Sequence, residues 1–131
     1  MAKNDLGSTS SGMEPNVAAL LSYVVGWITG LIFFLIETKN KFVRFHAMQS
    51  VIVFGALTVA SIVISILVSV FVIARLYFVL PLFQLIGTCL WLVGLILWII
   101  LMIKAYQGEY FKLPFAGDIA EKQIQKQKNP K

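Results

Sequence analysis

The residues Lys41–Ser50, KFVRFHAMQS, set an arginine, the chain's single histidine and a glutamine between two apolar blocks. A histidine titrates near neutral pH and can serve as a general acid or base, or donate to a backbone carbonyl. Catalysis would need a second functional group beside it. No Asp, Glu or Cys is close in sequence, and Glu109 or Asp118 would have to fold back to supply one. In a helix beginning near Asn40, His46 and Ser50 share a face with Gln49 beside them. Arg44 and Met48 share another face, and Phe42, Phe45 and Gln49 a third. Arg44 would reach a lipid phosphate or the carboxylate of Glu37 or Glu109. This pattern favours headgroup anchoring or a helix contact over catalysis. The candidate interfacial motif is Arg44, His46, Gln49, Ser50, Glu109 and Tyr110. Its expected form is docking of Arg44, His46 and Gln49 against GEYFKLP (108–114), with an Arg44–Glu109 ion pair.

The elements that must position this cluster follow from hydropathy. Of 131 residues, 59% are hydrophobic and 13% charged, against about 25% charged in a soluble domain. Charge-free runs extend over Val17–Ile36, Ala47–Ala74 and Leu76–Ile103, and about 20 apolar residues cross a bilayer core. The expected fold is therefore an all-α membrane protein with three spans, about 17–36, 47–73 and 81–103. Arg75 belongs at an interface because a mid-bilayer charge costs ~2.5 kcal/mol or more. Pro81 sets the start of the third span. The first block reads as a retained span rather than a cleaved leader, since Lys3 is the only Lys or Arg before it and no small-x-small site follows.

With three spans, Lys3 and Arg75 fall on one side. Lys39, Lys41, Arg44, Lys104, Lys112, Lys122, Lys126, Lys128 and Lys131 fall on the other. Basic residues stay cytoplasmic, so the N-terminus is expected outside and the C-terminus inside. Residues 1–15 read as a flexible tail, 16–106 as the membrane domain, and 107–131 as a cytoplasmic interfacial segment and basic tail lying over anionic headgroups. The net charge of +5 is spread along that tail without a nucleic-acid motif, so no nucleic-acid partner is expected. Cys89 is the single cysteine. No metal-ligand spacing, P-loop or dinucleotide fingerprint appears, so neither cofactor nor metal is expected.

Small residues recur at helical spacing as candidates for helix packing: Gly26 and Gly30, then Ser61, Ser65 and Ser69, then Gly87 and Gly94. No span carries an ionisable residue in its interior, which favours packing over conduction.

NKFVRFHAMQS, with YVVGWITGLIFFLIE before it and KAYQGEYFKLPFAGDIAEK after the last span, resembles small membrane proteins of archaea and bacteria. Those are grouped by similarity with the twenty-kilodalton component of the chloroplast inner-envelope import machinery. The resemblance runs from Ala18 to Glu121 and is most specific at Val43–Ser50 and Gly108–Pro114. It implies a helical membrane domain with its polar motif at the cytoplasmic start of a span, and it does not imply an enzyme. The plant relative has four spans and a role in a translocation channel. The function expected is a non-enzymatic, multi-pass protein of the cell membrane, a packing or accessory subunit of a transport or translocation assembly. The alternative is a small oligomeric channel or carrier. Membrane lipids, and a second copy or another membrane protein, are the expected partners.

Overall fold

The computed structural model describes residues 6–128, with side chains to Ile124. Every described element is helical: α1 (Pro15–Val24), α2 (Trp27–Ile36), α3 (Lys41–Ile73), a 3-10 turn (Tyr77–Val79), α4 (Leu80–Tyr106) and α5 (Ala116–Lys128).

The first apolar block is not one helix, which corrects the expected span over 17–36. Pro15 opens α1, where a missing N–H costs nothing. The helix ends at Val24, and Gly26 follows with a φ of 62° and ψ of −131°, open to glycine and strained for other residues. The chain then reverses. Ser10, just before α1, donates its N–H to the Glu37 carboxylate just after α2. The start of α1 and the end of α2 therefore lie at the same end of the molecule. Each helix has ten residues, about 15 Å, half of a ~30 Å hydrocarbon core. At the tip, Thr29 Oγ1 accepts from the Val25 N–H at 3.0 Å and donates to the Ser22 carbonyl at 3.1 Å. Ser50 Oγ donates to the Gly26 carbonyl at 2.8 Å. The polar groups that the reversal frees thus find partners within the protein, as an apolar surrounding demands.

Two helices are long and apolar enough to cross a membrane, α3 and the stretch Tyr77–Tyr106 that contains α4. Asn40 starts α3 by accepting the Val43 N–H on its side chain at 3.1 Å. The helix ends in a Schellman turn: Arg75 takes a φ of 62°, its N–H reaches the Val72 carbonyl, and Leu76 N–H reaches that of Phe71. Pro81 sits in the first turn of α4. A second Schellman turn ends α4, with Gly108 at φ 80° and Glu109 N–H on the Lys104 carbonyl.

Asn16 Nδ2 donates to the Tyr106 carbonyl and Trp98 Nε1 to the Tyr23 carbonyl, so α1 runs antiparallel to α4. α2 runs antiparallel to α3, with Gly30 against Ala47 and Ser50. The hairpin fills only one half of the molecule. There Ala19, Tyr23, Phe42, Leu101 and Ala105 form the core, and no residue of α3 beyond Val53 is buried. α5 folds back along the start of α3, with Ala120 and Ile124 packed on Phe45, Met48 and Ile52. The C-terminal segment, expected as a solvated tail, is thus a docked helix as far as its side chains are described.

A further correction concerns the termini. Leu6–Met13 and α5 both lie at the end where α3 begins and α4 finishes, so the two described ends of the chain are not on opposite sides of the helical layer. Residues 6–13, expected as part of the N-terminal tail, make contacts with the α2–α3 turn. Asn40 Nδ2 donates to the Leu6 and Ser8 carbonyls, and Ser10 Oγ lies 3.0 Å from Thr38 Oγ1.

Candidate functional site: a polar knot at the base of the helices

His46 and Gln49 converge with Glu109 and Tyr110 where α1, α3 and the Gly108–Pro114 segment meet, whereas Arg44 and Ser50 turn to α2 and the hairpin tip. His46 Nε2 lies 2.8 Å from the Glu109 carbonyl, and His46 Nδ1 lies 2.7 Å from Tyr23 Oη. A carbonyl only accepts, so Nε2 carries the proton. Nδ1 of the neutral ring then accepts from the tyrosine hydroxyl. Tyr23 Oη in turn accepts from Gln49 Nε2 at 3.1 Å. Gln49 Nε2 also donates to the Phe111 carbonyl at 2.9 Å, and its Oε1 accepts the Leu113 N–H at 3.0 Å. Tyr23, His46 and Gln49 are fully buried. Rings of Tyr23, Phe42, Phe45 and Tyr110 surround the imidazole. With the neutral Nε2–H tautomer, every imidazole nitrogen and the tyrosine hydroxyl has a partner of the right kind. The arrangement is a lock between helices.

Arg44 does not pair with Glu109, which corrects that expectation. Its Nη1 donates to the carbonyls of Phe34 (2.8 Å) and Glu37, and its guanidinium lies 4.1 Å from the centre of the Phe34 ring. The last carbonyls of a helix lack intrahelical partners and carry negative partial charge, so the guanidinium serves as the C-terminal cap of α2. Glu109 instead pairs with Lys104 at 3.2 Å. Tyr110 contributes its ring to the cage around His46, and Ser50 holds the hairpin tip as described above.

Glu37 and Asn40 form a second polar centre, tying the N-terminal segment to the α2–α3 turn. Burial works to raise the Glu37 carboxyl pKa, but the N–H groups of Asn40, Ser10 and Lys39 outweigh it, and the carboxyl is held below its ordinary value. Lys39 N–H donates at 3.1 Å and Asn40 N–H at 2.9 Å.

The packing candidates divide. A Cβ on Gly30 would lie 2.9 Å from the Ala47 carbonyl oxygen and from Ser50 Cβ, so Gly30 permits close approach of α2 and α3. Gly26 makes the reversal instead and lies outside both helices. Ser61, Ser65 and Ser69 each donate to the carbonyl four residues back. They line an open groove of about 880 Å³ between the far halves of α3 and α4, together with Gly87 and Gly94. Gly94 meets Leu57 Cδ1 at 3.3 Å if given a Cβ, whereas a Cβ on Gly87 would meet no other part of the protein within 4 Å.

Sequence reasoning missed Tyr23 and Asn16. A signal was present: Asn16, Ala19 and Tyr23 fall at helical spacing along one face of α1. Among the described residues, no three His, Cys, Asp or Glu side chains gather where they could hold a metal ion.

Residues 12–120 match a model of the family described as the magnetosome magnetite crystal formation proteins. The chain is 42% identical over 120 residues to a UPF0132 membrane protein of Methanocaldococcus jannaschii, covering 92% of this chain and 97% of the relative. It is 44% identical over 112 residues to a UPF0132 membrane protein of Archaeoglobus fulgidus, covering 86% and 97%. A second M. jannaschii protein of that name is 40% identical over 111 residues, covering 85% and 71%. No solved structure matches the chain.

Proposed function

The chain belongs to the magnetosome magnetite crystal formation protein family, and from that premise we propose a non-enzymatic, multi-pass protein of the cell membrane that works by assembling with itself or with another membrane protein. Two full crossings, α3 and α4, carry a half-depth hairpin, α1–α2, at one face of the bilayer. Every described Lys and Arg except Arg75 lies at the end of the molecule that holds the hairpin's open side and α5. The excess of basic residues in short loops marks the cytoplasmic side, so both described ends of the chain face the cytoplasm.

One observation carries the reading. The polar side chains of the motif are held by Tyr23 of α1, by backbone groups of the Gly108–Pro114 segment and by the end of α2. Among the described residues, no third helix packs against the far halves of α3 and α4. The motif holds a frame, and the open half of that frame is available to another membrane helix. An accessory part in a translocation assembly is the finer form of this proposal. It rests on the resemblance, most specific at Val43–Ser50 and Gly108–Pro114, to small prokaryotic membrane proteins that are grouped by similarity with the chloroplast import component. The family description speaks of magnetite crystal formation. With no three metal-ligating side chains gathered among the described residues, such a part would run through assembly in the membrane.

The alternative, an oligomeric channel or carrier, draws on the serine-lined groove. Those hydroxyls are already donated within their own helix, and no described ionisable side chain lines the groove, which favours assembly over conduction.

Isolation from native membranes in mild detergent, followed by mass measurement, is the test. An oligomer or a stoichiometric membrane partner is expected, with no ion flux above empty liposomes. A lone 14.6 kDa chain, or flux that scales with protein, would overturn the proposal.

A further inference from the structure

α5 has two faces with different occupants. Ala116, Ala120 and Ile124 are buried, the last two on Phe45 of α3. On the outer side, Phe115 just ahead of the helix is 82% exposed and Ile119 is 46% exposed. Lys122 follows on the same face, exposed, because steps of four and three residues return to one side of a helix. The register carries on to position 126, also a lysine. Asp118 flanks this face in the first helical turn, where the helix dipole favours an acid. Glu121 is paired with Lys112.

Phe115 is also strained. Its φ of 66° is rare for a bulky residue, and strain of this kind survives only where the surroundings over-determine it. Leu113 N–H is held by Gln49, and the N–H groups of Gly117 and Ile119 close the turn on the Leu113 and Phe115 carbonyls. The chain thus spends strain to present an aromatic ring outward.

Depth gives the outer face its meaning. A Cβ on Gly117 would lie 3.0 Å from Gln49 Oε1, so α5 begins level with Gln49, near the start of the charge-free part of α3. Ile124 and Glu121 share a cleft with Lys41 and Phe45 at the beginning of α3. From Phe115 to Lys122 the helix descends roughly 10 Å, comparable to the depth at which an interfacial helix beds into the headgroup–acyl boundary.

We propose that the outer face of α5 is a binding surface for acidic phospholipid, with Phe115 and Ile119 among the acyl chains and Lys122 on the headgroup phosphates. Charge complementarity selects this occupant, because the face lies at the end of the molecule where the basic residues gather. The surface anchors the frame to one leaflet and couples the Gln49 lock to the lipid around it. This rests on the membrane reading proposed above, and the test separates the two.

The full chain, with Cys89→Ser, is reconstituted in bilayers of phosphatidylglycerol and phosphatidylcholine. A nitroxide is placed singly through Phe115→Cys, Gln123→Cys or Ile66→Cys. The Ile66→Cys label should be accessible to oxygen and shielded from a nickel chelate; failure there overturns the membrane reading itself. The Phe115→Cys label should also favour oxygen, and the Gln123→Cys label should favour nickel. Nickel access at both α5 positions, with Ile66→Cys still shielded, overturns the lipid surface alone. Spin–spin broadening at Phe115→Cys overturns it in favour of a contact between two copies. In native mass spectrometry, the parent should prefer phosphatidylglycerol to phosphatidylcholine. Lys122→Gln should reduce that preference about fivefold, as expected for one lysine at an acidic surface. Because Lys122 is exposed, this variant should retain the parent's fold and oligomeric mass. An unchanged preference overturns the assignment of Lys122.

Discussion

Replacing Gln49 with leucine removes the lock while nearly preserving side-chain volume. Three hydrogen bonds go: to Tyr23 Oη at 3.1 Å, to the Phe111 carbonyl at 2.9 Å and from the Leu113 N–H at 3.0 Å. A buried donor or acceptor left without a partner costs ~1–3 kcal/mol. Tyr23 Oη keeps His46, so its loss is small. The Phe111 and Leu113 backbone groups belong to a half-buried segment that can partly turn to water, so each falls at the low end of that range. The expected loss is about 2–4 kcal/mol, or roughly 30-fold to several hundred-fold in an opening equilibrium. Hydrogen exchange of the purified protein in detergent reads this locally. The Leu113 amide should lose at least tenfold protection, while amides in the middle of α4 hold theirs. Gln84→Leu is the control: Gln84 is exposed and meets only Thr88 at 3.4 Å, so its effect should stay within about 0.5 kcal/mol. Equal protection at Leu113 in parent and Gln49→Leu would refute the reasoning that Gln49 fastens this segment.

Other expectations follow from the same geometry. Gly30→Ala should cost about 1–3 kcal/mol in thermal unfolding in detergent, because its Cβ would meet the Ala47 carbonyl oxygen and Ser50 Cβ at 2.9 Å. Gly87→Ala, with open space around it, should not destabilise. The Glu37 carboxyl is held below its ordinary value, so its contribution is complete above the unfolded glutamate range near pH ~4.3 and is lost as pH falls through the lower folded value. Protection of the Ser10 amide should therefore be flat from neutral pH down to that range and collapse below it. Glu37→Gln should weaken that protection at neutral pH and flatten the collapse. Arg44→Lys should destabilise by about 1–2 kcal/mol, since one ammonium cannot match the planar fork and ring stacking. A double-mutant cycle with Glu109→Gln should be additive within about 0.5 kcal/mol, because Glu109 pairs with Lys104.

The long helices were legible because length and composition decide them. Asn40 as a cap, Arg75 at the turn and Pro81 at the next helix start are local signals, and the structure uses each of them. The reversal at Gly26 was not legible. Hydropathy reports that a run is apolar but not which way it travels, and Gly26-x-x-x-Gly30 reads equally as a packing motif within one helix. The clue lay in polar side chains: Asn16, Ser22 and Tyr23 all precede Gly26, and each has a buried position to fill. The N-terminal segment looked flexible because its small polar residues carry no local preference. Its contacts come from Glu37 and Asn40, nearly thirty residues or more away in sequence. α5 was hidden by its glutamines and lysines, though Ala116, Ala120 and Ile124 already formed a stripe. The convergence of His46 and Gln49 with the Gly108–Pro114 segment could be posed from charge and aromatic placement. The ion pair assigned to Arg44 could not, because helix-end carbonyls leave no mark in a sequence.

The most direct measurement of the central claim, two crossings with a half-depth hairpin, is labelling of single cysteines in intact cells by a membrane-impermeant thiol reagent. In a Cys89→Ser background, Leu76→Cys at the far turn should react. Ser11→Cys ahead of α1 and Gln123→Cys on α5 should react only after the cells are opened. Labelling of Ser11→Cys in intact cells, with Gln123→Cys still protected, would mean that the first apolar block crosses the membrane and would contradict the hairpin.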